Sequence, residues 1–121
     1  MDASPRLRRA EPPRHSLTAL ARQQADRAAA AGGGHAADTV YGGHEKVLRQ
    51  TVIGMMAGSR LAEHENPGEA TLLILHGRVR LLAADHSWEA GRGDLLIIPD
   101  ARHSLEALDD SAVLLTVAKL S

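Results

Sequence analysis

The sequence contains no cysteine and no phenylalanine, and it has one tryptophan and one tyrosine in 121 residues. The first absence excludes disulfides and thiolate metal sites, so any metal must be held by histidine, carboxylate or amide oxygen. The second leaves a core of Leu, Val, Ile, Ala and Met, with no aromatic platform on which nucleic-acid bases could stack. No apolar run approaches the length of a membrane span. The N-terminus lacks the apolar stretch of a signal peptide, which makes the cytoplasm the expected location. No membrane and no nucleic-acid partner is expected.

Charge is sparse and uneven. Residues 1–35 carry six Arg against three acidic residues, and the remainder carries eight basic against twelve acidic ones. A basic arm of that density is ordinary solvated surface rather than a nucleic-acid tail. The length suits one domain with a hydrophobic core and is short for two. The expected division is therefore a flexible arm over residues 1–35, carrying one helix, followed by a single β-barrel domain over residues 36–121.

Residues 1–15 mix Pro, Arg and small residues without period, as a flexible lead-in does. Ser16 is a suitable N-cap, and the helix formers that follow predict a helix over about 16–31, stopped by Gly32, Gly33 and Gly34. Leu17, Leu20 and alanines give it a weakly apolar face, which predicts loose packing on the barrel or on a second subunit. Beyond the glycines, short β-like runs alternate with turn residues. The expected strands are 46–57, 60–63, 71–76, 78–83, 86–89, 95–98, 104–108 and 113–118. Val79, Leu81 and Ala83 should face inward with Arg78 and Arg80 outward, and Val113, Leu115 and Val117 should share one side. Frequent turns between short strands predict an all-β sandwich or barrel.

Two stretches carry a more specific pattern. Gly58 is followed after five residues by His64, then by Glu65-Asn66-Pro67-Gly68-Glu69-Ala70, and after six more by Gly77; Gly93 is followed after five residues by Pro99 and then by His103. This frame resembles the two motifs of the cupin superfamily, with the second histidine one position early, and covers about residues 40–120. The resemblance implies an all-β, cupin-like jelly-roll barrel behind a short N-terminal helix. It also implies a site of three histidines and a glutamate pointing into the barrel. His64 matches the first ligand and His103 the last, while Asn66 stands where a histidine is expected and Ala70 where the glutamate is expected. Glu69 is adjacent, but strand periodicity turns it to the opposite face unless a bulge intervenes.

The resemblance makes His64 and His103 candidate ligands for Fe, Mn, Ni or Zn, to be completed by Asn66, by Glu65, or by His44 of the first long strand. A catalytic metal with an open position ordinarily has three protein ligands. His64, Asn66 and His103 are the candidate ligand pocket, and Arg102 is a candidate partner for a substrate carboxylate or phosphate. His76 and His86 read as exposed loop residues, and His15 and His35 as part of the arm. Three functions follow as expectations: a small single-domain cupin binding a small polar molecule in the barrel mouth, with or without a metal; a metal-dependent cupin enzyme of the dioxygenase or isomerase type; and a non-catalytic sensory or dimerisation module. A homodimer is expected, because a small barrel leaves strand edges to cover.

Overall fold

The computed structural model describes residues 14–64 and 68–119, without the side chains of residues 63 and 64. The lead-in expected over residues 1–15 therefore lies, up to residue 13, outside the described residues. The elements run α1 (Leu17–Ala30), β1 (His35–Tyr41), β2 (Leu48–Met55), β3 (Arg60–His64), β4 (Gly68–His76), β5 (Arg78–Ala83), β6 (His86–Gly91), β7 (Leu95–Ile97), β8 (His103–Ala107) and β9 (Ser111–Lys119). Two antiparallel sheets face each other, one ordered β1-β2-β9-β4-β7 and the other β3-β8-β5-β6.

Strand periodicity builds the interior. In β5 the even-handed alternation of RVRLLA buries Val79, Leu81 and Ala83 and leaves Arg78 and Arg80 outside. Ala70, Leu72 and Ile74 of β4 pair with Val117, Leu115 and Val113 of β9, so one face of both strands lines the core. Ile53 and Met55 extend this face onto β2. All these side chains are aliphatic, as a chain without phenylalanine requires.

The outer face of the second sheet carries charge instead. Arg80 donates to Glu89 and to Glu106, each at 3.0 Å, and Arg78 reaches Glu89 at 3.4 Å. These hydrogen bonds, from Arg80 first and Arg78 second, hold the Glu89 carboxyl below its ordinary range. Solvent screens such exposed pairs, so they align three strands more than they stabilise them.

Turn chemistry closes the barrel end opposite to His103. Between β4 and β5 the chain reverses at Gly77, whose φ is +82°. A Cβ there would strike the Asp110 carbonyl and the Ser111 hydroxyl, so glycine is required on two counts.

β1 is a strand that the sequence pattern does not announce. His35, expected in the arm, is its first residue, and the strand pairs along β2 from His35↔Met55 to Tyr41↔Gln50. Its HAADTVY composition gives no apolar alternation because it lies at the edge of the sheet, where neither face is fully covered.

Helix α1 begins as expected, with the Ser16 hydroxyl accepting from the Ala19 amide at 3.2 Å. Its packing is tighter than its weak amphipathicity suggests. Ala21, Gln24 and Ala28 are buried against the outer face of the first sheet, and at Gly54 of β2 a Cβ would collide with the Gln24 carbonyl group and lie 2.6 Å from the Ala25 nitrogen. Backbone therefore meets backbone, a contact that a glycine permits and a hydropathy pattern does not register.

Candidate functional site

Three layers of inward side chains can be read along the strand register. Above Met55, one layer is Ile53, Val113 and Ile74, the next is Thr51, Leu115 and Leu72, and the one at the rim is Arg49, Val117 and Ala70. His103, at the start of β8, belongs to the rim end. Beneath it the interior is nearly full: a cavity of about 30 Å³ is bounded by His103 and by apolar side chains, among them Ile53, Leu61, Leu72 and Leu81. That volume holds a water molecule and no organic ligand. Anything larger must sit above it, in the mouth.

His103 is 6% exposed, and its Nδ1 lies 2.9 Å from the Ala101 carbonyl oxygen. A carbonyl only accepts, so in the neutral ring Nδ1 carries the proton and Nε2 the lone pair. His64 ends β3, and its Cα is paired directly with that of His103. This register depends on a bulge. Leu61 faces Leu105, and then Ala62 and Glu63 together oppose Ser104 alone. Continuing the Arg60–Glu106 register without the extra residue would place His64 opposite Arg102. The histidine that comes one position early after Pro99 is thus met by one added residue in the facing strand.

The other candidates divide. Glu65 and Asn66 lie outside the described residues. His44 is not in the first long strand: it sits exposed in the turn between β1 and β2, where Gly42 and Gly43 reverse the chain before β2 starts at Leu48. Ala70 is buried in the core and Glu69 is exposed, since the β4–β9 register runs unbroken from Gly68 to Ile74. Arg102 is exposed, as are His76 and His86, which open and close strands rather than lying within loops. Among the described residues no three His, Asp or Glu side chains come close enough together to hold a metal ion. The donor set that the resemblance implies is therefore not assembled from them.

The sequence reading missed Arg49. In the unbroken β2–β9 register, Arg49 faces Val117 of the core, two steps along the strand from Thr51 and four from Ile53. It therefore occupies the inward row at the rim, half-buried, with no hydrogen bond or ion pair to any described residue. Thr51 lies one layer deeper, its hydroxyl 3.2 Å from that of Thr39. LRQTVIGM gave no signal for it, since Val52, Ile53, Gly54 and Met55 are buried in succession and only the strand register turns Arg49 inward. On the opposite sheet, His86 pairs with Ala83 at the rim and Trp88 with Leu81 one layer deeper, their ring centroids 5.9 Å apart.

Two antiparallel sheets facing each other across an apolar interior, with a buried histidine at the start of β8, define a jelly-roll barrel. The chain matches no protein-family model and no curated protein. Solved structures do resemble it. A conserved Streptococcus pyogenes protein of unknown function aligns with a TM-score of 0.67 at 23% identity, over 75% of this chain and 79% of the other. A cupin superfamily protein from Desulfitobacterium hafniense gives 0.65 at 16%, over 71% and 78%. An RmlC-like cupin from Desulfovibrio desulfuricans gives 0.61 at 25%, over 69% and 81%. The chain has the fold of the cupin superfamily. Among the described residues, no helix is long and apolar enough to cross a membrane.

Proposed function

We propose that this cupin binds a small carboxylic acid in the mouth of its barrel, with the carboxylate on Arg49 and the polar remainder toward Thr51 and His103. The observation that carries this reading is Arg49 itself. An arginine on the inward row of a strand whose next inward residues are Thr51 and Ile53 presents a planar two-donor fork to the mouth, which suits a carboxylate. The full apolar floor below explains why the ligand would be small. His64 and Asn66 remain expected ligand contacts beside His103, and a cytoplasmic setting, with no cysteine to oxidise, belongs with this reading.

A second reading is favoured by the direct His64↔His103 register. Opposed positions in an antiparallel pair lie about 4.5–5.5 Å apart at Cα, close enough for both imidazoles to serve one divalent ion, Fe, Mn, Ni or Zn, with Glu65 or Asn66 completing the set. Such a centre would make the chain a metal-dependent enzyme of the dioxygenase or isomerase type.

One experiment separates them. Trp88, the single tryptophan, supplies a fluorescence readout one layer below the rim. Titration with succinate and pyruvate should give a saturable change, weakened about tenfold or more in Arg49→Gln, the loss expected for a charge-assisted pair. Equal affinity in wild type and variant, or no saturation with either acid, would sink the carboxylate reading. Metal analysis of untagged protein decides the other: near-stoichiometric metal lost in His103→Ala supports an enzyme centre, and protein that neither carries nor takes up metal removes it.

A homodimer is part of the proposal. β7 is only three residues long and forms an edge of its sheet, with Leu95 58% and Ile97 69% exposed; a second copy pairing there would cover both. Sedimentation of the purified chain should give twice the monomer mass, and Ile97→Asp should halve it; a wild-type monomer excludes the dimer.

A further inference from the structure

A second concavity lies outside the barrel interior. It is a groove of about 380 Å³ between α1 and the far ends of β4 and β6. β4 runs from Gly68 at the rim to His76, so the groove lies at the end of the barrel away from His103. Its volume falls in the range of small-ligand sites, roughly 300–1,000 Å³.

The floor is apolar. Leu17, Ala21 and Ala25 recur at intervals of four along α1 and meet Leu75 of β4. Charge stands on both walls: Arg22 projects from α1, and Arg92 from the turn that joins β6 to β7. Neither guanidinium makes an ion pair or hydrogen bond with a described residue, and the same holds for Asp26, the one carboxylate of the lining. Two fixed positive charges against one negative leave a surplus of a single positive charge above an apolar strip, and the Thr18 hydroxyl and the exposed His76 imidazole complete the polar lining.

We propose that this groove is a second binding site, for a small amphipathic monocarboxylate whose hydrocarbon part lies on the Leu17–Ala21–Ala25 strip and whose carboxylate meets Arg22 and Arg92. The charge balance selects a monoanion, because Asp26 opposes the second charge of a dianion such as phosphate. The apolar strip selects a ligand with a hydrocarbon body over a compact ion, since each buried methylene contributes about 0.8 kcal/mol. The site shares no residue with the mouth, so its occupancy does not depend on the reading of Arg49.

The test is an amide NMR titration of the full chain with octanoate, with octanol and with inorganic phosphate. Octanoate should give saturable shifts at Ala21, Arg22, Ala25, Leu75 and Arg92, and weaker binding by about tenfold or more in the Arg22→Gln/Arg92→Gln variant. Both arginines are exposed, so the variant's spectrum elsewhere should be that of the wild type. Octanol and phosphate should each bind about tenfold more weakly than octanoate. The proposal is overturned if octanoate does not saturate at millimolar concentration, if its shifts centre on His103, if the double variant binds as well as wild type, or if either control ligand matches octanoate. Binding that survives in Arg49→Gln keeps this site distinct from the mouth.

Discussion

Replacing Gly54 with alanine should lift α1 from the barrel. The new Cβ has no room, because the Gln24 carbonyl group already occupies its place and the Ala25 nitrogen is 2.6 Å away. Neither obstacle is a side-chain tip that can swing aside; both are helix backbone. The helix must retreat as a body, and the seal over Ala21, Ala28 and Val52 opens with it. Overpacking of this kind costs about 1–3 kcal/mol. The contact has little in reserve, since Gln24 is fully buried and its side-chain nitrogen has no hydrogen-bond partner among the described residues, an arrangement that itself costs about 1–3 kcal/mol. Thermal unfolding should shift downward, and octanoate binding in the groove should weaken because α1 supplies its floor. Gly32→Ala is the control, since its Cβ would meet nothing within 4 Å. If both variants melt with the wild type, α1 is not anchored at Gly54.

Leu81→Ala should cost more, about 2–5 kcal/mol, out of a total stability of about 5–15 kcal/mol for a domain of this kind. Leu81 is 1% exposed on the inward row of β5 and bounds the small void under His103. Removing its branched end joins new empty space to that void, among side chains held on two paired sheets that collapse poorly. Denaturant unfolding reads the loss directly. Leu81→Met, which keeps most of the volume, should cost less than about 1.5 kcal/mol. A loss below that value for the alanine variant would mean that the interior relaxes around the gap.

What could be read from the sequence was whatever side chains write into a period. Val79, Leu81 and Val113 announce their strands because each faces a covered interior, and the glycines and Pro99 announce the turns between them. β1 was hidden because an edge strand with no covered face has no alternation to show. The α1 contact was hidden for a different reason: at Gly54 the decisive feature is a missing side chain. Arg49 was not legible, because its strand is covered on both faces and buries Val52, Ile53, Gly54 and Met55 in succession, which leaves no alternation to show which way an arginine near its end turns. The turn position of His44 follows from two glycines that end β1 earlier than a continuous strand would.

The bulge in β3 has a consequence for how length changes in this barrel are to be understood. Counted along the chain, His103 is displaced by one residue; counted across the sheet, it is level with His64, because Ala62 and Glu63 share a single partner in Ser104. A strand and its neighbour thus hold their lengths in common, and a residue lost from one can be restored in the other. Distances along this chain are a poor guide to its mouth, whereas the pairing of its strands preserves who faces whom.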